Sequence, residues 1–161
     1  MTEIHIHLPK KPLRFNVGFL VGAPIGSSRD FHFEYPNVRL QDDFDLTDFT
    51  GVARVGRTPQ GLLVQGTFEG DTVVQCVRCL NDTRQHLATE FDELYAFSER
   101  SMTDSGLLVP EDGYIDLEGV VRDYLMIEIP ISPLCKPDCK GLCSVCGEDL
   151  NKGSCEHQLT P

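Results

Sequence analysis

Apolar and polar residues alternate with a period of two through much of the first hundred positions, a pattern that belongs to extended chain rather than helix. Ile4, Ile6 and Leu8 alternate ahead of Lys10, Lys11 and Arg14, so residues 1–14 read as an edge strand or arm. Phe31, Phe33 and Tyr35 share one side of Arg29 to Tyr35, and comparable alternation spans Phe49 to Val55, Leu62 to Phe68 and Thr72 to Cys76. Antiparallel strands follow, because Gly56-Arg57-Thr58-Pro59-Gln60-Gly61 and Glu69-Gly70-Asp71 carry turn chemistry between them. Gly22-Ala23-Pro24-Ile25-Gly26-Ser27-Ser28 lacks the lysine of a phosphate loop and reads as a turn. Thr83 to Phe97 is expected as another long strand, and Ser98 to Gly113, which has little periodicity, as a mobile acidic loop.

The period changes once. From Asp116, whose carboxylate can cap a first turn, Leu117, Val120, Val121, Tyr124 and Leu125 form a helical stripe that Pro130 and Pro133 end. The expected fold class is therefore α+β: an antiparallel β-sheet or open barrel core over residues 1–132, with one packed helix from about 116 to 129. Residues 133–161 hold five of the seven cysteines and few large apolar side chains. Such a tail cannot build its own core, and metal binding can fold it instead.

Composition sharpens this picture. The 161 residues amount to one domain, and no apolar run reaches the length of a membrane span; Val17 to Ile25 is broken by Gly18, Gly22 and Pro24. The N-terminus lacks a secretory pattern, so a cytoplasmic, reducing compartment is expected, where clustered cysteines hold metals more often than disulfides. Fourteen basic against 25 acidic residues give a net charge of −11, opposite to the footprint of an autonomous nucleic-acid binder. Between Glu90 and Glu118 nine acidic residues face Arg100 alone. Glu90, Asp92, Glu93, Glu99, Asp104, Glu111 and Asp112 are thus candidates for docking a basic partner, although solvated loops carry such runs too.

The cysteines fall into short groups: Cys76-x-x-Cys79, Cys135-x-x-x-Cys139, Cys143-x-x-Cys146-Gly147, and Cys155 beside Glu156-His157. Two thiolates two or three residues apart reach one ion from a tight turn, and the turn's N–H groups can hydrogen-bond the sulfurs. Seven thiols and one imidazole make eight ligands, enough for two tetrahedral zinc ions per chain, though spacing alone also admits an iron–sulfur centre. Cys143, Cys146, Cys155 and His157 span fifteen residues and form one expected site. Cys135 and Cys139 are then free to join Cys76 and Cys79 in the other, pinning the tail to the sheet. Cys76 and Cys79 as plain buried cysteines, or ligands divided differently, remain open alternatives. His32-Phe33-Glu34 with Cys76-x-x-Cys79 echoes the zinc deaminase signature, but Gln75 stands where that signature has proline and His32 lies in a strand pattern. No enzyme and no small-molecule substrate are expected, and closed thiolate sites are structural.

Cys76-Val77-Arg78-Cys79-Leu80, Asp116-Leu117 opening a helix that ends in Ile129-Pro130, Cys139-Lys140-Gly141-Leu142-Cys143-x-x-Cys146-Gly147-x-x-Leu150-Asn151 and Gly26-Ser27-Ser28-Arg29 resemble the YceD family of bacteria and plastids. Many members end in Cys-x-Cys where this chain has Cys155-Glu156-His157. The resemblance implies a role in accumulating large-subunit ribosomal RNA, and genes of the family commonly adjoin that of a small basic ribosomal protein. Taken with the charge, it leads to the expectation of a non-enzymatic, zinc-stabilised factor for large-subunit assembly that binds a basic ribosomal protein or pre-ribosomal particle. The alternative is direct contact with precursor ribosomal RNA through Lys10, Lys11, Arg14, Arg78 and the tail lysines.

Overall fold

In the computed structural model, which describes residues 11–153 and 155–157, the alternating segments form one long meander. In chain order the elements are β1 (Arg14–Asn16), α1 (Gly18–Val21), β2 (Ser28–Leu40), β3 (Phe44–Arg57), β4 (Gly61–Gln75), β5 (Asp82–Ala96), a 3-10 turn (Glu99–Ser101), β6 (Tyr114–Asp116) and α2 (Glu118–Ile127). Strands β2-β3-β4-β5 make a four-stranded antiparallel sheet in sequence order, and β1 pairs with β6 in a second, two-stranded one. The architecture is α+β with open sheets, not a barrel. Ile4, Ile6, Leu8 and Lys10 lie outside the described residues, while Arg14 opens β1.

The meander's strands are longer than local pattern suggested. Leu62 to Phe68 and Thr72 to Cys76 are not two strands around a turn at Glu69-Gly70-Asp71; they are one strand, β4, whose Gly70 pairs with Leu87 in unbroken register. Cross-strand charges keep that triplet in the ladder: Asp71 binds His86 at 2.6 Å and Arg84 Nε at 2.6 Å, and Glu69 lies 3.5 Å from His86. Likewise β2 runs through Pro36 to Leu40, as an edge strand allows, with Pro36 skipped in a ladder that passes from Tyr35 opposite Phe49 to Asn37 opposite Thr47. Opposite Pro36 the β3–β4 register shifts between Thr47 and Thr50, and Asp48 adopts a φ of 48°.

Two further expectations change. A second helix, α1, was not legible, because four residues show no period; Asn16 Oδ1 accepts the Gly18 N–H at 2.8 Å and Leu20 is buried. The segment from Ser98 to Gly113 is not a free loop. Ala96 donates to Leu107 O (3.0 Å), Val109 donates to Ala96 O (2.9 Å), and Leu107 and Val109 pack on the core.

One face of the sheet is an aromatic ladder. Phe49, Phe68 and Phe91 on β3, β4 and β5 stack at centroid distances of 5.7 and 6.0 Å, and Tyr124 of α2 caps the row over Phe91 at 4.8 Å. Gly51 makes room for it: a Cβ there would run into the Phe68 ring. Val121 and Leu125 bury the other contacts of α2. Asp116, expected as the cap, instead ends β6; its Oδ1 accepts the Glu118 N–H (2.9 Å) from one residue before the N-cap Leu117, which has no side-chain cap. At the β2–β3 turn, Glu118 accepts the Gln41 N–H (2.5 Å) and Arg122 Nε binds Asp43 (2.7 Å), fixing the helix over the sheet. Phe68→Ala should cost about 3–5 kcal/mol, since Phe68 is fully buried at the centre of the ladder. Chemical denaturation monitored by circular dichroism checks this, and a loss below about 1 kcal/mol would contradict the central role of the row.

Candidate metal centre

The β4–β5 connection, residues 76–81, is a thiol-bearing knuckle. Cys76 donates its N–H to Asn81 O (2.9 Å) and accepts at its carbonyl from Leu80 N (3.0 Å), while Leu80 takes a φ of 62°. This turn throws Cys76 and Cys79 to one side, where the segment after α2 meets them. Val77 donates to Pro133 O (3.0 Å) and Arg78 Nη1 to Cys139 O (3.0 Å). Cys76, Cys79 and Cys139 are buried together with Leu134 and Leu142 against them.

The sulfurs of Cys76, Cys79, Cys135 and Cys139 lie within 4.8 Å of one another, and so do the donor atoms of Cys143, Cys146, Cys155 and His157. Cys76 and Cys139 sulfurs are 3.7 Å apart, as are those of Cys79 and Cys135. A disulfide would bring them to about 2.05 Å. A tetrahedron with metal–sulfur bonds of about 2.3 Å has edges of about 3.8 Å, so the spacing fits four thiolates around one ion. The two clusters could bind metal ions, and their donors group as chain reach predicts.

The turns favour the thiolate at Cys76, Cys139 and Cys143. Burial instead pushes the Cys135 thiol up to about 12, and Cys146 is also raised, as expected where neighbouring thiolates share one site. N–H groups, that of Cys79 foremost, draw the Cys76 thiol down to about 6, and those of Cys146 and Val145 do the same to Cys143, also to about 6. Val145 N lies 3.5 Å from Cys143 Sγ, and Gly147, at a φ of 77°, closes the second turn by donating to Cys143 O (3.0 Å). The Asn151 carboxamide is the main influence lowering Cys139. Three residues near the sulfurs carry no spacing signature: Asn81 Nδ2 donates to Cys79 Sγ (3.4 Å), Asn151 Nδ2 to Cys139 Sγ (3.3 Å), and Asp149 accepts from both amides. Asn151 stood out only as part of a motif.

The seven acidic candidates are spread over several elements. Glu90 and Asp92 are exposed on β5 and alternate with buried Phe91, so they face away from the aromatic ladder. Glu99, Asp104 and Glu111 are exposed on the segment between β5 and β6. Glu93 instead accepts the Tyr124 hydroxyl (2.6 Å), and Asp112 binds Arg14 (3.1 Å) and the Tyr114 N–H (3.0 Å). Glu93, Asp112, Asp116, Glu118 and Asp123 line a cleft of about 670 Å³ beside α2. Of the basic residues, Lys11 is exposed, Arg14 pairs with Asp112 and Arg78 is committed to Cys139. His32 and Glu34 lie on β2, away from both cysteine clusters. Among the described residues no helix is long and apolar enough to cross a membrane.

Both cysteine clusters, α2 and the acidic segment lie within residues 64–161, the stretch matched by the family profile "Large ribosomal RNA subunit accumulation protein YceD". The chain belongs to the YceD family. It is 38% identical over 115 residues to an uncharacterized protein of Mycobacterium tuberculosis, covering 67% of this chain and 55% of that protein. A Mycobacterium leprae protein, also uncharacterized, is 39% identical over 101 residues, 60% of this chain and 46% of its own length. The chain thus spans about half the length of these mycobacterial relatives. In Arabidopsis thaliana the chloroplastic large ribosomal RNA subunit accumulation protein YCED homolog 1 is 43% identical over 47 residues, 29% of this YceD chain and 15% of the plant protein. No solved structure matches the chain.

Proposed function

We propose that the chain is a non-enzymatic, zinc-stabilised factor that supports large ribosomal subunit assembly and the accumulation of its ribosomal RNA by holding a basic ribosomal protein. The observation that carries the ribosomal role is the YceD profile over residues 64–161. The names of the plant relatives point the same way. Zinc is the reading for the two clusters because one is built of four thiolates and the other of three thiolates and an imidazole, with no open position for chemistry. On this reading residues 133–161 fold around metal and dock through Cys135 and Cys139 on the core of residues 1–132. Exposed Glu90, Asp92, Glu99, Asp104 and Glu111, with the acidic cleft beside α2, supply the field that attracts a basic partner.

Affinity capture at low salt, with both proteins and RNA identified, tests the partner. A basic large-subunit protein that dissociates as salt rises supports the proposal. Retention of ribosomal RNA without such a protein would favour direct RNA contact, and no ribosomal component at all would end both readings. Elemental analysis under reducing conditions tests the cofactor: two zinc ions per chain are expected, and one or fewer after zinc addition refutes the two-site assignment.

A further inference from the structure

We propose that Asn151, acting with Asp149 and Asn81, couples the two cysteine clusters, so that filling the Cys143/Cys146/Cys155/His157 site raises the metal affinity of the Cys76/Cys79/Cys135/Cys139 site. The inference rests on the reading of both clusters as metal sites. Asn151 lies in the loop between Cys146 and Cys155 of the second cluster, yet its Nδ2 donates to the Cys139 sulfur of the first at 3.3 Å. Its Oδ1 accepts the Lys140 N–H at 2.9 Å, which fixes the carboxamide against the chain one residue past Cys139. Asp149 extends the connection: Oδ1 accepts from the Asn151 amide (2.9 Å) and Oδ2 from Asn81 Nδ2 (2.6 Å). Asn81 in turn donates to the Cys79 sulfur (3.4 Å). Each carboxamide thereby spends one N–H on a first-cluster sulfur and the other on Asp149 of the second cluster's loop.

The physical consequence follows from what each bond does. An N–H aimed at a metal-bound thiolate spreads its negative charge and orients it, and groups of this kind are worth about 10–100-fold in metal affinity. Asn151 acts only when its loop is ordered, and Asn81, carried by the β4–β5 knuckle, is oriented by Asp149 of that same loop. Ordering residues 147–153 costs conformational entropy, and closing Cys146 and Cys155 on an ion supplies it. Once the second site is filled, the donors to Cys139 and Cys79 are already in place, and linkage makes the effect reciprocal. One further bond ties the same loop to the chain that leaves the first cluster, Leu150 N donating to Gly141 O (2.9 Å), while Cys143 N donating to Glu148 O (2.8 Å) closes the loop within the second cluster.

Cobalt and zinc titration of the full chain against a chromophoric chelator reads this directly, because charge-transfer bands separate a four-thiolate from a three-thiolate site. Asn151→Asp keeps the acceptor for Lys140 and nearly the same volume, but has no N–H for Cys139. It should weaken the four-thiolate site about 10–100-fold. Cys146→Ser should weaken that same site in the parent chain and have a smaller effect in the Asn151→Asp background, where only the Asp149–Asn81 connection remains. If the Asn151 variant does not fold, Asn81→Asp takes its place: the Cys146→Ser effect on the four-thiolate site should be smaller in that background than in the parent chain. Equal four-thiolate affinity in parent and variants, or a Cys146→Ser effect that simply adds, would overturn the coupling. Failure of the parent chain to take up any ion would instead remove the metal reading itself.

Discussion

Cys143→Ser or Cys146→Ser should release amide protection throughout the residues after Leu142 while leaving β2 to β5 protected as in the parent. The contrast arises because the two regions are stabilised by different physics. The sheet buries Phe49, Phe68, Leu62, Leu87 and Val55 completely, a core that owes nothing to metal. Among the described residues after Pro133 only Cys139, Gly141 and Cys143 are buried, with Leu134 and Leu142 half-buried, so the tail's order depends on ion binding, worth about 10–16 kcal/mol in small zinc modules. Cys76→Ser should act differently, loosening the tail's attachment at the β4–β5 knuckle while the local turn around Cys143 and Cys146 persists. Hydrogen exchange followed by mass spectrometry separates these outcomes. Unchanged protection in all three variants would mean that the cysteines are not ligands.

The second large effect concerns the acidic face. Reversing Glu90, Asp92, Glu99, Asp104 and Glu111 to lysine should abolish the restoration of mature large-subunit ribosomal RNA in cells lacking the protein, while the variant folds normally. These five side chains are exposed, and exposed charges contribute little to stability, whereas their summed field governs encounter with a basic partner. Glu93, Asp112, Asp116 and Glu118 are best left intact, since each accepts a hydrogen bond that positions α2 or β6. Under direct RNA contact the same reversal would preserve or strengthen function, and Lys11→Glu would be the damaging change. Subunit profiles of both variants decide between them, and full rescue by the reversed chain would reduce the acidic residues to solvated surface.

Sequence pattern carried the strands well where each residue's surroundings are local. Phe31, Phe33 and Tyr35 alternate because one side of β2 meets the aromatic row, and the helix beginning after Asp116 announces itself by its stripe and its prolines. Glu69-Gly70-Asp71 misled because turn-forming residues also suit a ladder when the facing strand offers Arg84 and His86, more than a dozen residues further along the chain. Ser98 to Gly113 misled for a related reason: its anchor is a parallel bridge from Leu108 to Ala96, made by backbone groups that any sequence possesses. For the cysteines, chain reach alone groups the donors as they lie in space. The carboxamides touching the sulfurs were not legible, because an asparagine reveals its partner only when distant segments are folded together.

Pro36 has one more consequence. An open sheet ends in two strands with unpaired backbone groups, a standing invitation for another copy to add its own strand. Among the described residues those borders are β2 and β5. Along β2, Pro36 removes a donor midway through the border, and Arg39 is held beside Asp45 at 2.6 Å, so a charged pair sits near one end. Along β5, Arg84, Glu90 and Asp92 stand exposed, and an identical strand brought alongside in parallel register would set like charges near one another. Long strands can thus remain unclosed without becoming adhesive, and the same residues that look like lapses in β-forming pattern set the limit at which the sheet stops growing.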